Sequence, residues 1–177
     1  VRYTPPAGYT GPASFTYKVN DGQDSNTATV NITVGVAVPV YSFPMDSDPN
    51  WTTEGQWAFG VPLGIDGDPT AGPTGTHVYG YNLGGDYLNN IPEYSLTTDA
   101  LDLSGVFNVE LSFQRWLGVE SATFDHARVD VSNDGTTWVN VWDHVQTSAL
   151  NESAWSEQTY DISATADDQA TVYIRWV

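Results

Sequence analysis

The segment "HARVDVSNDGTTWVNVW", residues 126–142, decides the fold class of this chain. In its first half, Ala127, Val129 and Val131 alternate with polar residues, and the same period of two returns in "TWVNVW". Such alternation is typical of a half-buried β-strand, and the cluster "SNDGTT" between the two halves consists of turn-forming residues. The segment therefore predicts two strands joined by a turn, with Ala127, Val129 and Val131 facing inward.

Segments with the same period recur from residue 41 to residue 177, separated by turn clusters, and helical patterns are missing apart from a doubtful turn at "TADDQA". Eight or nine strands with long loops early and short loops late predict an all-β jelly-roll sandwich. The predicted strands are "YSFPM", "GQWAFG", "THVYGYNL", "EYSLTT", "NVELSFQRWLG", "HARVDVSN", "TWVNVWDH", "EQTYDIS" and "TVYIRWV".

The first residues of the chain predict a separate, smaller element. "SFTYKVN" and "NTATVNITV" alternate around "DGQDS", so residues 14–34 are predicted to form a β-hairpin. "VRYTPPAGYTGP" ahead of it offers one short strand and a proline-rich corner. One hairpin and one strand are too little to bury an independent core.

This N-terminal segment, "YTPPAGYTGPASFTYKVNDGQDSNTATVNITV", resembles the end of a bacterial Ig-like or cadherin-like repeat. The resemblance implies that residues 1–34 are the last three strands of an Ig-like sandwich whose beginning lies outside this chain. Residues 35–40, "GVAVPV", are then a short apolar linker, and residues 41–177 form the jelly-roll sandwich.

Residues 43–177 resemble a different family. The stretches that carry this resemblance are "DSDPNWTTEGQWAFG", "GYNLGGDYLNNIPEYSLTTDALDLSG", "LSFQRWLGVESATFDHARVDVSNDGTTWVNVW" and "TVYIRW". This segment is similar to the β-sandwich domain that follows the catalytic domain in immune-inhibitor-A-type metallopeptidases, and more loosely to MAM domains and the cleaved-adhesin domains of gingipains. The resemblance implies a further strand after "YIRW" that carries an Asp-Asp pair. Since the sequence ends at Val177, we expect the sandwich to lack that strand.

Charge narrows the range of partners. The 177 residues include 22 acidic and 5 basic ones, which gives a formal net charge of −17. A field of this sign repels nucleic acid and anionic membrane surfaces, so neither is an expected partner. Divalent cations are better candidates, because the carboxylate oxygens of acidic residues are ligands that suit calcium. Cysteine is absent, which excludes disulfides and thiolate chemistry.

The glycine-rich stretch "GIDGDPTAGPTGTHVYGYNLGGDY", residues 64–87, fits neither a phosphate-binding loop nor an EF-hand. In β-sandwiches, calcium is held instead by carboxylates from separate loops together with backbone carbonyls, and the resembling families commonly carry structural calcium. The alternative is that these aspartates are solvated loop residues. The candidate calcium ligands are Asp46, Asp48, Asp66, Asp68, Asp86, Glu120 and Asp125.

Catalytic patterns are not found. No "G-x-S-x-G" elbow surrounds a serine and no "H-E-x-x-H" motif occurs. With 22 acidic residues, carboxylate pairs at catalytic spacing arise by chance. We therefore expect no enzyme in this chain.

The outward faces of the predicted strands give more information about possible ligands than the search for catalytic motifs does. Arg115, Arg128 and Arg175, three of the five basic residues, fall in this sheet region. Guanidinium groups beside aromatic rings suit sugar hydroxyls, uronates or peptide carboxylates, whereas the alternative is cross-strand pairing with Glu110, Asp130 and other acids. The candidate ligand-binding residues are Trp51, Trp116, His126, Arg128, Trp142, Trp155, Tyr173 and Arg175.

These patterns predict a non-catalytic binding or adhesion module of a larger secreted or surface bacterial protein. We expect it to be extracellular or on the cell surface, stabilised by calcium, and to bind a glycan or a protein surface. The alternative is a structural spacer or accessory domain of a secreted metallopeptidase, with calcium as its only ligand.

Overall fold

The computed structural model describes residues 3, 5, 9–20 and 22–177. The chain divides into two compact units, residues 1–41 and residues 42–177. Both are built from antiparallel strands, and a single helical turn is present in the part described. The all-β fold class predicted from the sequence is confirmed.

The first unit contains the predicted hairpin, formed by β1 (Gly11–Tyr17) and β2 (Ala28–Val34). The two strands pair along their whole length, with Phe15 opposite Val30. Burial alternates along both strands, which follows from their apolar-polar alternation. The strand predicted ahead of the hairpin falls mostly on residues outside those described.

The second unit contains the remaining elements. They are β3 (Thr52–Thr53), β4 (Trp57–Gly60), β5 (Val78–Tyr81), β6 (Leu96–Thr97), β7 (Glu110–Arg115), β8 (Gly118–Val119), β9 (Arg128–Ser132), β10 (Val139–Asp143), β11 (Leu150–Asn151), β12 (Ser156–Asp161), α1 (Ser163–Ala166) and β13 (Tyr173–Trp176).

Two sheets of this unit form a β-sandwich. One has the strand order β10-β9-β13-β6-β3, so the last strand of the sequence lies between β9 and β6. The other pairs β7 with β12. Val129, Val131, Val172 and Ile174 are buried on the first sheet, and side chains of β7 and β12 such as Phe113 pack against them. Smaller pairs, β4-β5 and β8-β11, complete the fold.

The helical turn suggested at "TADDQA", residues 165–170, overlaps the four-residue helix α1 only at Thr165 and Ala166, and the two aspartates that follow α1 hold a neighbouring segment. The Asp167 carboxylate accepts the backbone N–H groups of Asn108 and Val109, each at 3.0 Å. Asp168 accepts the N–H of Gly105 at 2.8 Å. In the part of the chain that the structure describes, no helix has the length and apolar character needed to cross a membrane.

A row of aromatic rings runs through the second unit. Trp51 is 9% exposed and stacks between Tyr79, at 5.3 Å, and Trp176, at 5.7 Å between ring centroids. Trp176 in turn meets the ring of Phe113 edge-on at 5.4 Å. Trp51 was a candidate ligand-binding residue, but the structure places its ring inside this row.

Candidate functional site

The outer surface of the five-stranded sheet brings several predicted residues together. Cross-strand pairing places Asn140, Asp130, Arg175 and Thr97 side by side on successive strands. Because residues opposite each other in paired strands point to the same face, they form one polar row. We call the surface around this row the arginine face. Its residues are Glu93, Arg128, Asp130, Trp138, Asn140 and Arg175.

Asp130 is the centre of the arginine face. One of its oxygens, Oδ2, accepts hydrogen bonds from Arg128 Nε at 3.0 Å and from Arg175 Nε at 2.9 Å. Its other oxygen accepts the Asn140 side-chain N–H at 3.1 Å. Asp130 is only 3% exposed although its position in the strand points outward, because these partners cover it. One carboxylate thereby fixes two guanidinium groups and one amide.

Arg128 is fully engaged by acidic side chains. Its two terminal nitrogens donate to the two oxygens of Glu93, at 2.5 and 3.0 Å. The bond to Glu93 is the main cause of the raised pKa of Arg128, and the same bond lowers the pKa of Glu93. Both shifts favour the charged forms. The sequence left pairing with acidic residues as the alternative for Arg128, and the structure shows such pairing, with Asp130 two residues along the same strand and with Glu93 in the segment before β6.

Arg175 differs from Arg128 in that, among the described residues, its terminal guanidinium nitrogens have no hydrogen-bond acceptor. Its Nε is held by Asp130, and its guanidinium carbon lies 4.1 Å from the centroid of the Trp138 ring. Among the described residues, neither of its terminal nitrogens has an acceptor. The side chain is 23% exposed. Four N–H donors in a fixed plane are therefore free to bind an acceptor from solution.

Two further candidates lie at the edge of this surface. Tyr173 is half-buried, and a side chain added at Gly135 would lie 3.3 Å from its ring, so Tyr173 packs on the turn after β9. Gly135 has φ +72°, a conformation that suits glycine. His126 is exposed and close enough to Glu93 for its charge to contribute to that residue's lowered pKa.

Trp116 and Trp155 lie elsewhere and hold the glycine-rich loop. The indole N–H of Trp116 donates to the Gly67 carbonyl at 3.0 Å, and that of Trp155 to the Ala71 carbonyl at 3.1 Å. The two indoles also meet edge-on, with centroids 5.9 Å apart. Both rings are half-buried. Their hydrogen bonds hold residues 67–71, which have no regular secondary structure, in place.

Trp142 packs against the core and carries Arg115 over its ring at 4.5 Å. Arg115 makes a two-pronged contact with Glu152, with nitrogen–oxygen distances of 2.8–3.3 Å. Glu152 also accepts the Leu117 N–H at 2.8 Å. This pair is about 85% buried, with 16% and 14% of the two side chains exposed, and it ties β7 to the segment before β12.

The predicted calcium ligands fall into separate places. Asp66, Asp68 and Asp86 interact electrostatically: burial raises the pKa of Asp68, and the charges of Asp86 and Asp66 raise it further. Within the described residues, no group of three or more His, Cys, Asp or Glu side chains is arranged to hold a metal ion. A calcium ion at this loop would therefore need backbone carbonyls as well.

Asp48 and Asp125 each bond to a tyrosine. Asp48 accepts the hydroxyl of Tyr79 at 2.5 Å, and burial raises the pKa of Tyr79 to about 12. Asp125 accepts the hydroxyl of Tyr87.

Glu120 and Asp46 complete the predicted set. The backbone N–H of Glu120 donates to Asp125 at 3.4 Å, which joins these two candidates. Asp46 lies beside Gly75, where an added side chain would come within 3.6 Å of its carboxylate.

Four members of the arginine face, Glu93, Asp130, Trp138 and Asn140, were not among the candidate site residues. Asp130 entered the sequence analysis only as a pairing partner of the arginines. Trp138 fits a half-core position in the sequence pattern, whereas the outward position of Asn140 on β10 is a signal that the sequence does offer. Glu93 lies in an irregular segment, where no periodicity indicates which way a side chain points.

Comparison with known proteins concerns the first unit. Residues 1–33 match the family model of the bacterial Ig domain. The resemblance of this segment to a bacterial Ig-like repeat is thereby confirmed. Bacterial Ig domains are typically extracellular or surface modules, so the match indicates a module of a larger surface protein.

The searches among curated proteins and among solved structures find no significant match. The likeness of residues 43–177 to the sandwich of immune-inhibitor-A-type metallopeptidases therefore stays a prediction from the sequence.

Proposed function

We propose that this chain is a non-catalytic binding module of a larger secreted or surface bacterial protein, and that it recognises a glycan through the arginine face. The observation that carries the proposal is the free edge of Arg175, which is held in place by Asp130 and Trp138 but has no acceptor of its own among the described residues.

The chemistry of the arginine face suits sugars. A guanidinium group donates to pairs of oxygen atoms in one plane, and neighbouring sugar hydroxyls or a sugar carboxylate present such pairs. Because Asp130 and Trp138 already fix Arg175, little side-chain freedom remains to be lost when a ligand binds. The match to a bacterial Ig domain supports the setting, a surface protein, and not the ligand.

We expect Arg175→Ala to weaken glycan binding by roughly tenfold or more, since a charge-assisted hydrogen bond contributes about 1.5–3 kcal/mol. The measurement is binding of the whole chain to a panel of immobilised neutral and acidic oligosaccharides. Arg175→Lys keeps the charge but loses the planar pair of donors, and it should also bind more weakly.

Lys18→Ala is the matched control, because it removes one positive charge from an exposed position in the hairpin. Equal losses for Arg175→Ala and Lys18→Ala would show that only overall charge matters. A folded wild-type chain that binds none of the oligosaccharides would overturn the proposal and favour the spacer alternative.

Calcium remains part of this proposal as a predicted stabiliser of the acidic loops. The mutual repulsion that helps raise the pKa of Asp68 is what a bound cation would relieve. We expect millimolar calcium, but not magnesium, to raise the melting temperature by several degrees relative to excess EDTA.

Asp68→Asn should abolish the calcium effect, whereas Asp102→Asn, at an exposed loop position, should leave it intact. Superimposable melting curves with calcium and with EDTA would contradict the calcium prediction and leave the acidity as a matter of solubility.

A further inference from the structure

The contact between Glu93 and Arg128 has the geometry of a bound ligand. The Glu93 side chain is 69% exposed, yet both of its oxygens bond to the terminal nitrogens of Arg128. Such a parallel pair of hydrogen bonds is the usual way in which arginine binds a carboxylate. Because the Glu93 side of this ion pair is exposed to solvent, a carboxylate from solution can take its place on Arg128.

Arg175 lies directly beside this contact. The Nε atoms of Arg128 and Arg175 bond to the same oxygen of Asp130, at 3.0 and 2.9 Å. One of the two neighbouring guanidinium groups thus already carries a carboxylate from the chain itself, while the other has free donors.

We propose that Glu93 is an internal competitor for the arginine face, and that the ligand is a glycan ending in a sugar acid whose carboxylate binds Arg175 and displaces Glu93 from Arg128. This inference rests on the proposed function and adds the class of ligand and the residue that regulates its binding.

Charge decides between the possible ligands. A neutral sugar hydroxyl forms weaker hydrogen bonds than a carboxylate and is a poor competitor for Glu93. A polymer with many carboxylates is repelled by the net charge of −17. A single terminal sugar acid has one carboxylate, which the two arginines can bind, and its single charge is repelled only weakly by the acidic chain.

The test uses a matched pair of probes, methyl β-D-glucuronide, which has a carboxylate, and methyl β-D-glucoside, which lacks it. Binding of each to the 177-residue chain is followed by NMR chemical-shift titration. We expect the wild-type chain to bind the glucuronide about tenfold more tightly than the glucoside, as a charge-assisted contact implies.

We expect Glu93→Gln to bind the glucuronide more tightly than wild type, by roughly three- to tenfold, with no change for the glucoside. Glu157→Gln is the control, because it removes the same charge from β12, in the other sheet, where Glu157 bonds to Ser112. It should leave both affinities unchanged.

Several results would overturn the inference. If Glu93→Gln and Glu157→Gln strengthen glucuronide binding equally, only net charge matters. If the glucoside binds as tightly as the glucuronide, the proposed glycan-binding function stands but the sugar-acid ligand does not.

Acetate serves as a third probe, since it has the carboxylate without the sugar ring. Binding of acetate with the affinity of the glucuronide would point to a peptide or other carboxylate and would exclude a glycan. If neither wild type nor Glu93→Gln binds any probe, both the proposed function and this inference fail.

Discussion

Replacing Asp130 with alanine is expected to lower the free energy of unfolding by about 3–5 kcal/mol, the range found when one partner of a buried ion pair is removed. The carboxylate is 3% exposed and accepts hydrogen bonds from Arg128, Arg175 and Asn140. Its loss leaves Arg175 without an acceptor among the described residues and leaves Arg128 with Glu93 as its remaining partner. Urea unfolding followed by tryptophan fluorescence measures the change.

Asp99→Ala is the control for this experiment, because Asp99 is exposed and the same atoms are removed. It should change stability by no more than about 0.5 kcal/mol. Asp130→Asn keeps the shape but not the charge and should give an intermediate loss. A loss below about 1 kcal/mol for Asp130→Ala would mean that the two arginines find other partners or water without cost.

Replacing Trp51 with alanine is expected to cost about 3–5 kcal/mol, the usual range for deleting a large aromatic side chain from a core. Its ring stacks against Tyr79 on one side and Trp176 on the other, so its removal opens a cavity between β5 and β13. The melting temperature and the urea midpoint should both fall, and glycan binding at the arginine face should survive in the folded fraction.

Trp51→Phe tests the reason for that loss. A phenyl ring can still stack between Tyr79 and Trp176, so this variant should retain more than half of the stability that alanine removes. If Trp51→Ala left stability unchanged and reduced glycan binding instead, Trp51 would be a ligand-binding residue, as its type and position in the sequence predict.

The alternation of apolar and polar residues was sufficient to predict which strand residues face the core. Val129 and Val131 are buried as predicted, and Arg128, Asp130 and Arg175 lie on the other face. Alternation predicts a direction, but not a degree of exposure. Asp130 points outward and is nevertheless buried, because the arginine stems and Asn140 cover it.

Contacts between distant segments could not be predicted in this way. The indoles of Trp116 and Trp155 reach carbonyls 49 and 84 residues away along the chain. Nothing in the local sequence distinguishes such a structural indole from one that binds a sugar, since both belong to tryptophans next to strand ends. The same holds for Glu93, whose bond to Arg128 spans 35 residues from an irregular segment.

The position of β13 has a consequence for how the protein is made. Tyr173–Trp176 follows the other four strands of the five-stranded sheet in the sequence but lies in the middle of that sheet, hydrogen-bonded to β9 on one side and β6 on the other. A ribosome delivers β6, β9 and β10 first, and β9 can pair with β10 as soon as both have emerged. The inner edges of β6 and β9 then stay unpaired, and open to mispairing with other chains, until β13 has emerged and inserted between them.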